Sequence, residues 1–243
     1  MHIFFVPPSQ IKNQNITIWG QDAHHIQNVL KMSKGEKIII QDGENHKYLC
    51  EIEEITAEKI IAKIIKQENS LSENKIKIAL AQSLPKASKL DFIIQKTTEL
   101  GIDKIIPFTS ERSIPRIEEK ISAKLTRWQK IAQSAASQSG RSHIPQVESL
   151  KTWEEILSGI KNYGLSLIPW ENEKENSLKS ILLQNKIPQN ILVIIGPEGG
   201  FSHAEVNSAK KMGAIPISLG PRILRCETAP LNIISILNYV FES

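Results

Sequence analysis

Apolar positions recur along this chain in two different rhythms. Up to about Lys66 they come in short runs broken by turn signals. Lys37–Gln41 is rich in isoleucine and precedes Asp42-Gly43, a turn pair. Tyr48–Ile55 alternates imperfectly between apolar and polar residues, and Lys59–Ile65 is a β-branched run. Short strands separated by turns predict a small β-barrel. Within that stretch Gln21–Met32 has helical spacing, with Ile26, Val29 and Leu30 on one face. The polar segment Gln67–Asn74 then reads as a linker, which divides the chain into residues 1–70 and 75–243.

Beyond the linker, strand-like and helix-like runs alternate. Lys75–Ala81, Ile102–Pro107, Leu165–Ile168, Ile191–Ile195 and Ile215–Leu219 read as strands. Lys89–Leu100, Ala123–Ser137, Leu178–Leu183, Ala204–Met212 and Thr228–Phe241 read as helices. Leu90, Ile93, Ile94 and Thr97 share one side of the first of these, and Gly101 sits just past its end, where a terminating glycine belongs. The alternation predicts an α/β fold, a mainly parallel sheet with helices on both faces.

Composition narrows the class. With 243 residues, 40% of them hydrophobic, the chain is large enough for two domains and a substantial core. A net charge of +4 suits a nucleic-acid partner without requiring one. Cys50 and Cys226 match neither a zinc spacing nor a redox pair, so no metal is expected and a reduced, cytoplasmic compartment is. The start, MHIFFVPP, has no basic n-region and does not read as a signal peptide. No window is long and apolar enough to span a membrane.

The strongest chemical signal is a pair of glycine-bearing loops, each following a predicted buried strand. They are Ile195-Gly196-Pro197-Glu198-Gly199-Gly200 and Leu219–Ala229, which begins Leu219-Gly220-Pro221-Arg222. Loops at the carboxyl ends of strands in an open α/β sheet are where ligands sit. Glycine there admits close backbone approach. Neither loop has the G-x-G-x-x-G spacing of a dinucleotide fold or the G-x-x-x-x-G-K-[ST] of a phosphate loop. Arg222, Arg225 and Glu227 crowd the second loop among Ile223, Leu224 and Ala229. Such charges either pair locally to fix the loop or handle phosphate, base and proton; spacing alone leaves both open. Thr228 suits the start of the last helix, and Pro230 its first turn. Cys226 could be a nucleophile activated by arginine, but a small side chain filling the loop is the plainer reading.

Taken together, the two loops resemble the C-terminal signature of the RsmE family, the 16S ribosomal RNA uridine-N3 methyltransferases of the SPOUT class. Lys89–Gly101, Ser110–Ser113, Gln138–Pro145 and His24–Leu30 followed by Gly35 are also similar to family segments. The resemblance covers nearly the whole chain. It implies an N-terminal PUA-like β-barrel, RNA-binding, followed by a SPOUT α/β domain with a C-terminal trefoil knot. It further implies S-adenosylmethionine as cofactor, a homodimer, and 16S rRNA or the small ribosomal subunit as partner.

Carried onto this sequence, the resemblance places the cofactor against Leu167, Ile168 and Pro169, then Ile195, Gly196, Pro197, Glu198, Gly199 and Gly200. The third segment contributes Leu219, Gly220, Ile223, Leu224, Arg225, Thr228 and Ala229. Uridine N3 must lose a proton before it attacks. Arg225 and Arg112 are the groups expected to stabilise the resulting anion. Glu227 or Glu198 is expected to take the proton. His25, Lys31, Arg112, Arg116 and Arg141 are expected on RNA phosphates. The competing readings are a SPOUT enzyme acting on ribose 2′-oxygen and a non-catalytic ribosome-assembly protein.

Overall fold

The computed structural model describes residues 2–69, 73–113, 121–184 and 188–241. The chain divides into two compact units, residues 1–73 with 136–144 and residues 74–135 with 145–243.

The first unit holds β1 (Ile3–Phe5), β2 (Ile11–Lys12), β3 (Asn15–Trp19), β4 (Lys37–Gln41), β5 (His46–Ile55) and β6 (Lys59–Asn69). They form one sheet in the order β1-β4-β5-β6-β3-β2. Only β1 and β4 run parallel. Side chains two apart on a strand share a face. That periodicity sends Ile16, Ile18, Ile38, Ile40, Ile52 and Ile60 into one core, where all six are fully buried. Asp42 closes the β4–β5 turn by accepting the Glu44 and His46 N–H groups on Oδ1, at 2.7 and 3.2 Å.

The barrel expectation holds in its coarser form: the described strands make one curled sheet, a half-barrel, with β1 and β2 at its ends. Two expectations change here. The segment read as a helix over Gln21–Met32 is a single turn, α1 (Gln21–His24), continued by a π turn (His25–Val29). The wider turn rotates the predicted apolar face, so Ile26 is buried while Val29 is 63% exposed. Gln67–Asn69, read as linker, extends β6 opposite Tyr48, Lys47 and His46 of β5. Backbone pairing is indifferent to the polarity of those side chains.

The second unit is built on β7 (Lys77–Ser83), β8 (Lys104–Phe108), β9 (Gln146–Val147), β10 (Leu165–Pro169), β11 (Asn190–Ile195) and β12 (Ile215–Ile217). All pairings are parallel, in the order β12-β10-β11-β7-β8-β9. The accompanying helices are α2 (Lys89–Glu99), α3 (Ile121–Gln138), α4 (Trp153–Gly159), α5 (Leu178–Gln184), α6 (His203–Lys211) and α7 (Thr228–Phe241). Alternate strand residues feed two separate cores. Ile78, Leu80, Leu167 and Val193 pack with α2, α5 and α7, whereas Ala79, Ala81, Ile168 and Ile194 pack with α4 and α6. This two-sided burial is why the strands read as continuous apolar runs. Helix α4 and strand β9 were not expected. The signal for α4 was the capping box Thr152/Glu155, in which Thr152 Oγ1 accepts the Glu155 N–H and Glu155 accepts the Thr152 N–H.

Candidate active site

β10, β11 and β12 lie in adjacent positions, and their register aligns Leu167 with Val193 and Pro169 with Ile217. Their carboxyl ends therefore share one edge of the sheet. The loops that follow, 170–177, 196–202 and 218–227, open there together with the β7–α2 connection. They surround a cavity of about 580 Å³, within the size range of small-molecule sites.

The cavity gathers most of the expected cofactor residues. Pro169, Ile195, Gly196, Pro197, Glu198, Gly199, Gly200, Leu219, Gly220, Ile223, Leu224, Arg225 and Ala229 line it. Leu167 and Ile168 do not; each is fully buried, one in each core. Thr228 is also absent from the lining and stands exposed at the start of α7. Lys89, Trp170, Glu171 and Phe201 line the cavity without having been expected, and Cys226 lines it from within the second glycine loop.

The glycines act differently from the simple picture of backbone bared to a ligand. A Cβ on Gly196 would meet the Phe201 ring at 3.1 Å, and one on Gly200 (φ +66) would meet Glu171 Oε1 at 2.6 Å. These two let the protein's own side chains close on the loop. Gly220, at φ +116 with no neighbour within 4 Å of an added Cβ, is the one facing open space.

Electrostatics centre on Lys89, the first residue of α2. Its Nζ lies 3.0 Å from Glu198 Oε1 and 3.3 Å from Glu227 Oε2. Glu198 also accepts the Lys86 N–H at 3.0 Å. Burial works to raise the Glu198 carboxyl, but its own backbone N–H, Lys89 and the Lys86 N–H outweigh it and hold the group below the usual range. Glu227 is likewise lowered: burial opposes, and the Cys226 thiol, its own backbone N–H and Lys89 prevail. Both are ionised at neutral pH. The Lys89 ammonium is held above its ordinary value, chiefly by Glu198. Sequence reasoning missed Lys89, although a helix start directly behind the strand that neighbours β11 was available as a signal.

Arg225 is exposed and lines the cavity, while its carbonyl accepts the Thr228 and Ala229 N–H groups at 2.9 Å and starts α7. Arg112 sits on the loop after β8 and donates from Nη1 to the Gly199 carbonyl at 2.9 Å. The hydroxyls of Ser83, Ser110 and Ser113, within 2.7–2.9 Å of one another, fix that loop.

The expected RNA contacts are scattered. His25 is exposed on the π turn, its ring edge-on to Phe4, and Lys31 is exposed just beyond it. Arg141 requires a correction. Its side chain is 5% exposed and donates to Glu73 at 2.5 Å, and Glu73 also accepts the Ser142 and His143 N–H groups. A buried guanidinium engaged this way is structural and does not face RNA. Arg116 lies outside the described residues. Charge is also unequally divided. The first unit has nine Lys and Arg against ten Asp and Glu, net −1, which leaves 21 against 16, net +5, in the second.

A second cavity of about 480 Å³ lies toward the amino ends of β7, β8 and β11, beside Lys77, Lys104, Glu148 and Tyr163. It holds none of the predicted site residues. Among the described residues no group of acidic, histidine and cysteine side chains could hold a metal, and no helix is long and apolar enough to cross a membrane.

Residues 72–238 match the family model of an RNA methyltransferase domain, and residues 19–65 that of an RNA methyltransferase PUA domain. The chain is 35% identical over 231 residues to the ribosomal RNA small subunit methyltransferase E of Bacillus subtilis, covering 93% of this chain and 90% of that protein. Among solved structures it is similar to the Neisseria gonorrhoeae ribosomal RNA small subunit methyltransferase E bound to S-adenosyl methionine. That match has a TM-score of 0.87 and 31% identity, over 99% of this chain and 98% of the other. A Legionella pneumophila putative methyltransferase in complex with the same cofactor gives 0.86 and 29%, over 98% and 96%.

Burial, reinforced by the Glu227 carboxylate, pushes the Cys226 thiol up to about 12, so it is protonated at neutral pH and a poor nucleophile. In the folded protein, Cys226 is expected to resist alkylation by iodoacetamide at pH 8. Peptide mass spectrometry showing modification within minutes would contradict this.

Proposed function

Since the chain belongs to the ribosomal RNA small subunit methyltransferase E family, we propose that it methylates one uridine of 16S rRNA at N3 during small-subunit maturation. The methyl donor is S-adenosylmethionine. The observation that carries the reading is the convergence of three parallel-strand loops on a cavity that takes in both glycine loops.

The residues there suit this cofactor. Glu171 and Glu198 are carboxylates on the cavity wall, fitted to its sulfonium and ammonium charges. Trp170 Nε1–H is buried without a hydrogen-bond partner among the described residues, a donor held ready for a ligand acceptor. Leu219, Leu224 and Phe201 supply apolar surface for a purine. When bound, the cofactor supplies an electrophilic methyl group.

The protein's own task is to orient the uridine and ease loss of its N3 proton. Glu198 and Glu227 are weak bases, because Lys89 and the neighbouring donors hold them ionised with a low proton affinity. A general base works best with a pKa near the operating pH. We therefore assign the main catalytic role to Arg225, with Arg112 beside it. A guanidinium directed at uracil O2 or O4 stabilises the N3 anion as it forms, and the proton leaves to solvent. Glu198 and Glu227 take a positioning role.

The remaining assignments belong to the same proposal. β10 sits between β11 and β12 although it precedes both in the chain, a path that suits a C-terminal trefoil knot. Phe92, Ile223 and Tyr239, apolar and uncovered on the second unit, support a homodimer. The positive charge of that unit favours it for drawing in rRNA, with His25 and Lys31 of the first unit as local phosphate contacts. The setting is the cytoplasm, where small subunits mature.

The test is incubation with methyl-labelled S-adenosylmethionine and either small subunits or naked 16S rRNA lacking the mark, followed by nucleoside mass spectrometry. N3-methyluridine is expected. Label on ribose 2′-oxygen, or no label on either substrate, would overturn the reading. Arg225→Ala is expected to lower kcat about a hundredfold; an unchanged kcat would remove Arg225 from the catalytic group.

A further inference from the structure

A lysine at the first position of a helix needs a reason. The helix dipole places partial positive charge there, so a cation is disfavoured. Ser88 before it makes no side-chain cap. Lys89 has two compensating partners, and they come from different places in the chain. Glu198 belongs to the loop after β11 and Glu227 to the loop after β12. One ammonium thus joins both glycine loops to the start of α2. Its side chain is only 34% exposed, and those of Glu198 and Glu227 are 27% and 18% exposed. Screening by water is accordingly weaker than for a surface pair.

We propose that Lys89 is a positioning residue, whose ammonium fastens the two glycine loops together through Glu198 and Glu227 and so shapes the cofactor cavity. This deepens the methyl-donor reading of the cavity and rests on it. Without the cation, two carboxylates that now share a single Nζ face each other and repel. The loops then part, and the cavity between them loses its form. The titratable groups facing the cluster are Glu198, Glu227 and Cys226, with Glu171, Arg222 and Arg225 elsewhere on the cavity wall.

A proton can replace the missing cation. Glu198 and Glu227 are held below the ordinary carboxylate range in the intact protein. They stay ionised between pH 8 and 5.5, so they add no pH dependence to cofactor binding by the intact protein there. The cofactor's own α-amino group titrates near the upper end of that range, so each variant is read as its ratio to the intact protein at the same pH. In Lys89→Met the paired carboxylates rise, as carboxyls sharing one site do. One of them takes up a proton as pH falls, and the repulsion ends.

Titration calorimetry with S-adenosylmethionine on the full-length protein tests this. The intact protein must bind first; failure there overturns the methyl-donor reading and not the role of Lys89 within it. Given binding, Lys89→Met is expected to lose about tenfold or more in affinity at pH 8 and to recover most of it by pH 5.5. Lys89→Arg should keep the intact profile, since a guanidinium can hold both carboxylates. Wild-type affinity in Lys89→Met at pH 8 overturns the proposal. So does a loss that is the same at every pH, which would mark simple packing. If Lys89→Met does not fold, Lys89→Met/Glu227→Gln takes its place, because it leaves a single carboxylate and no repulsion. It should bind within about threefold of the intact protein at pH 8, and a loss of about tenfold or more in it overturns the proposal equally.

Discussion

The parallel register of β10, β11 and β12 is the constraint on which the site depends. Parallel neighbours end on the same edge of a sheet, so the segments after Pro169, Ile195 and Ile217 must open side by side. The chain reaches that arrangement by an indirect route, because β10 lies between β11 and β12. Residues far apart in sequence, such as Glu171, Glu198 and Arg225, thereby meet on one cavity wall. The apolar interior that makes the register rigid is two-sided, with Leu167 and Val193 on one face and Ile168 and Ile194 on the other. A slip of one residue would exchange those faces, and the loops would no longer converge.

On this frame the electrostatics are simple. A buried or half-buried charge is tolerated when paired, and this chain pairs its charges across distant segments. Lys89 reaches Glu198 and Glu227, while Ser202 Oγ donates to Glu111 at 2.6 Å and Glu205 accepts the Glu111 N–H at 2.9 Å. The loop carrying Arg112 is in this way tied to the loop carrying Gly199. Among the described residues the Arg225 side chain has no polar partner, whereas Glu198 and Glu227 are engaged by Lys89. That difference separates groups available to a developing anion from groups that hold the site in shape.

Much of this was legible in the sequence, and the misses have physical causes. The strands of the second unit were readable because two-sided burial leaves continuous apolar runs, as in Ile191–Ile195. The glycine loops were readable because Gly220 and Gly200 occupy conformations that side chains resist. The edge strands β1 and β2 were missed because two or three residues carry too little periodicity. The face of the Gln21–Met32 segment was misread because a π turn breaks the 3.6-residue spacing. Arg141 looked like a phosphate ligand because a basic residue carries no mark of burial; its partner Glu73 stands 68 positions away. Lys89 was overlooked for the same reason, since its partners come from loops more than a hundred positions later.

The most direct measurement is a crystal structure of the protein with S-adenosylmethionine. The cofactor is expected in the cavity bounded by Gly196–Gly200 and Leu219–Arg225, with Lys89 Nζ still hydrogen-bonded to both Glu198 and Glu227. Cofactor bound instead toward the amino ends of β7, β8 and β11, beside Lys104, Glu148 and Tyr163, would contradict the account.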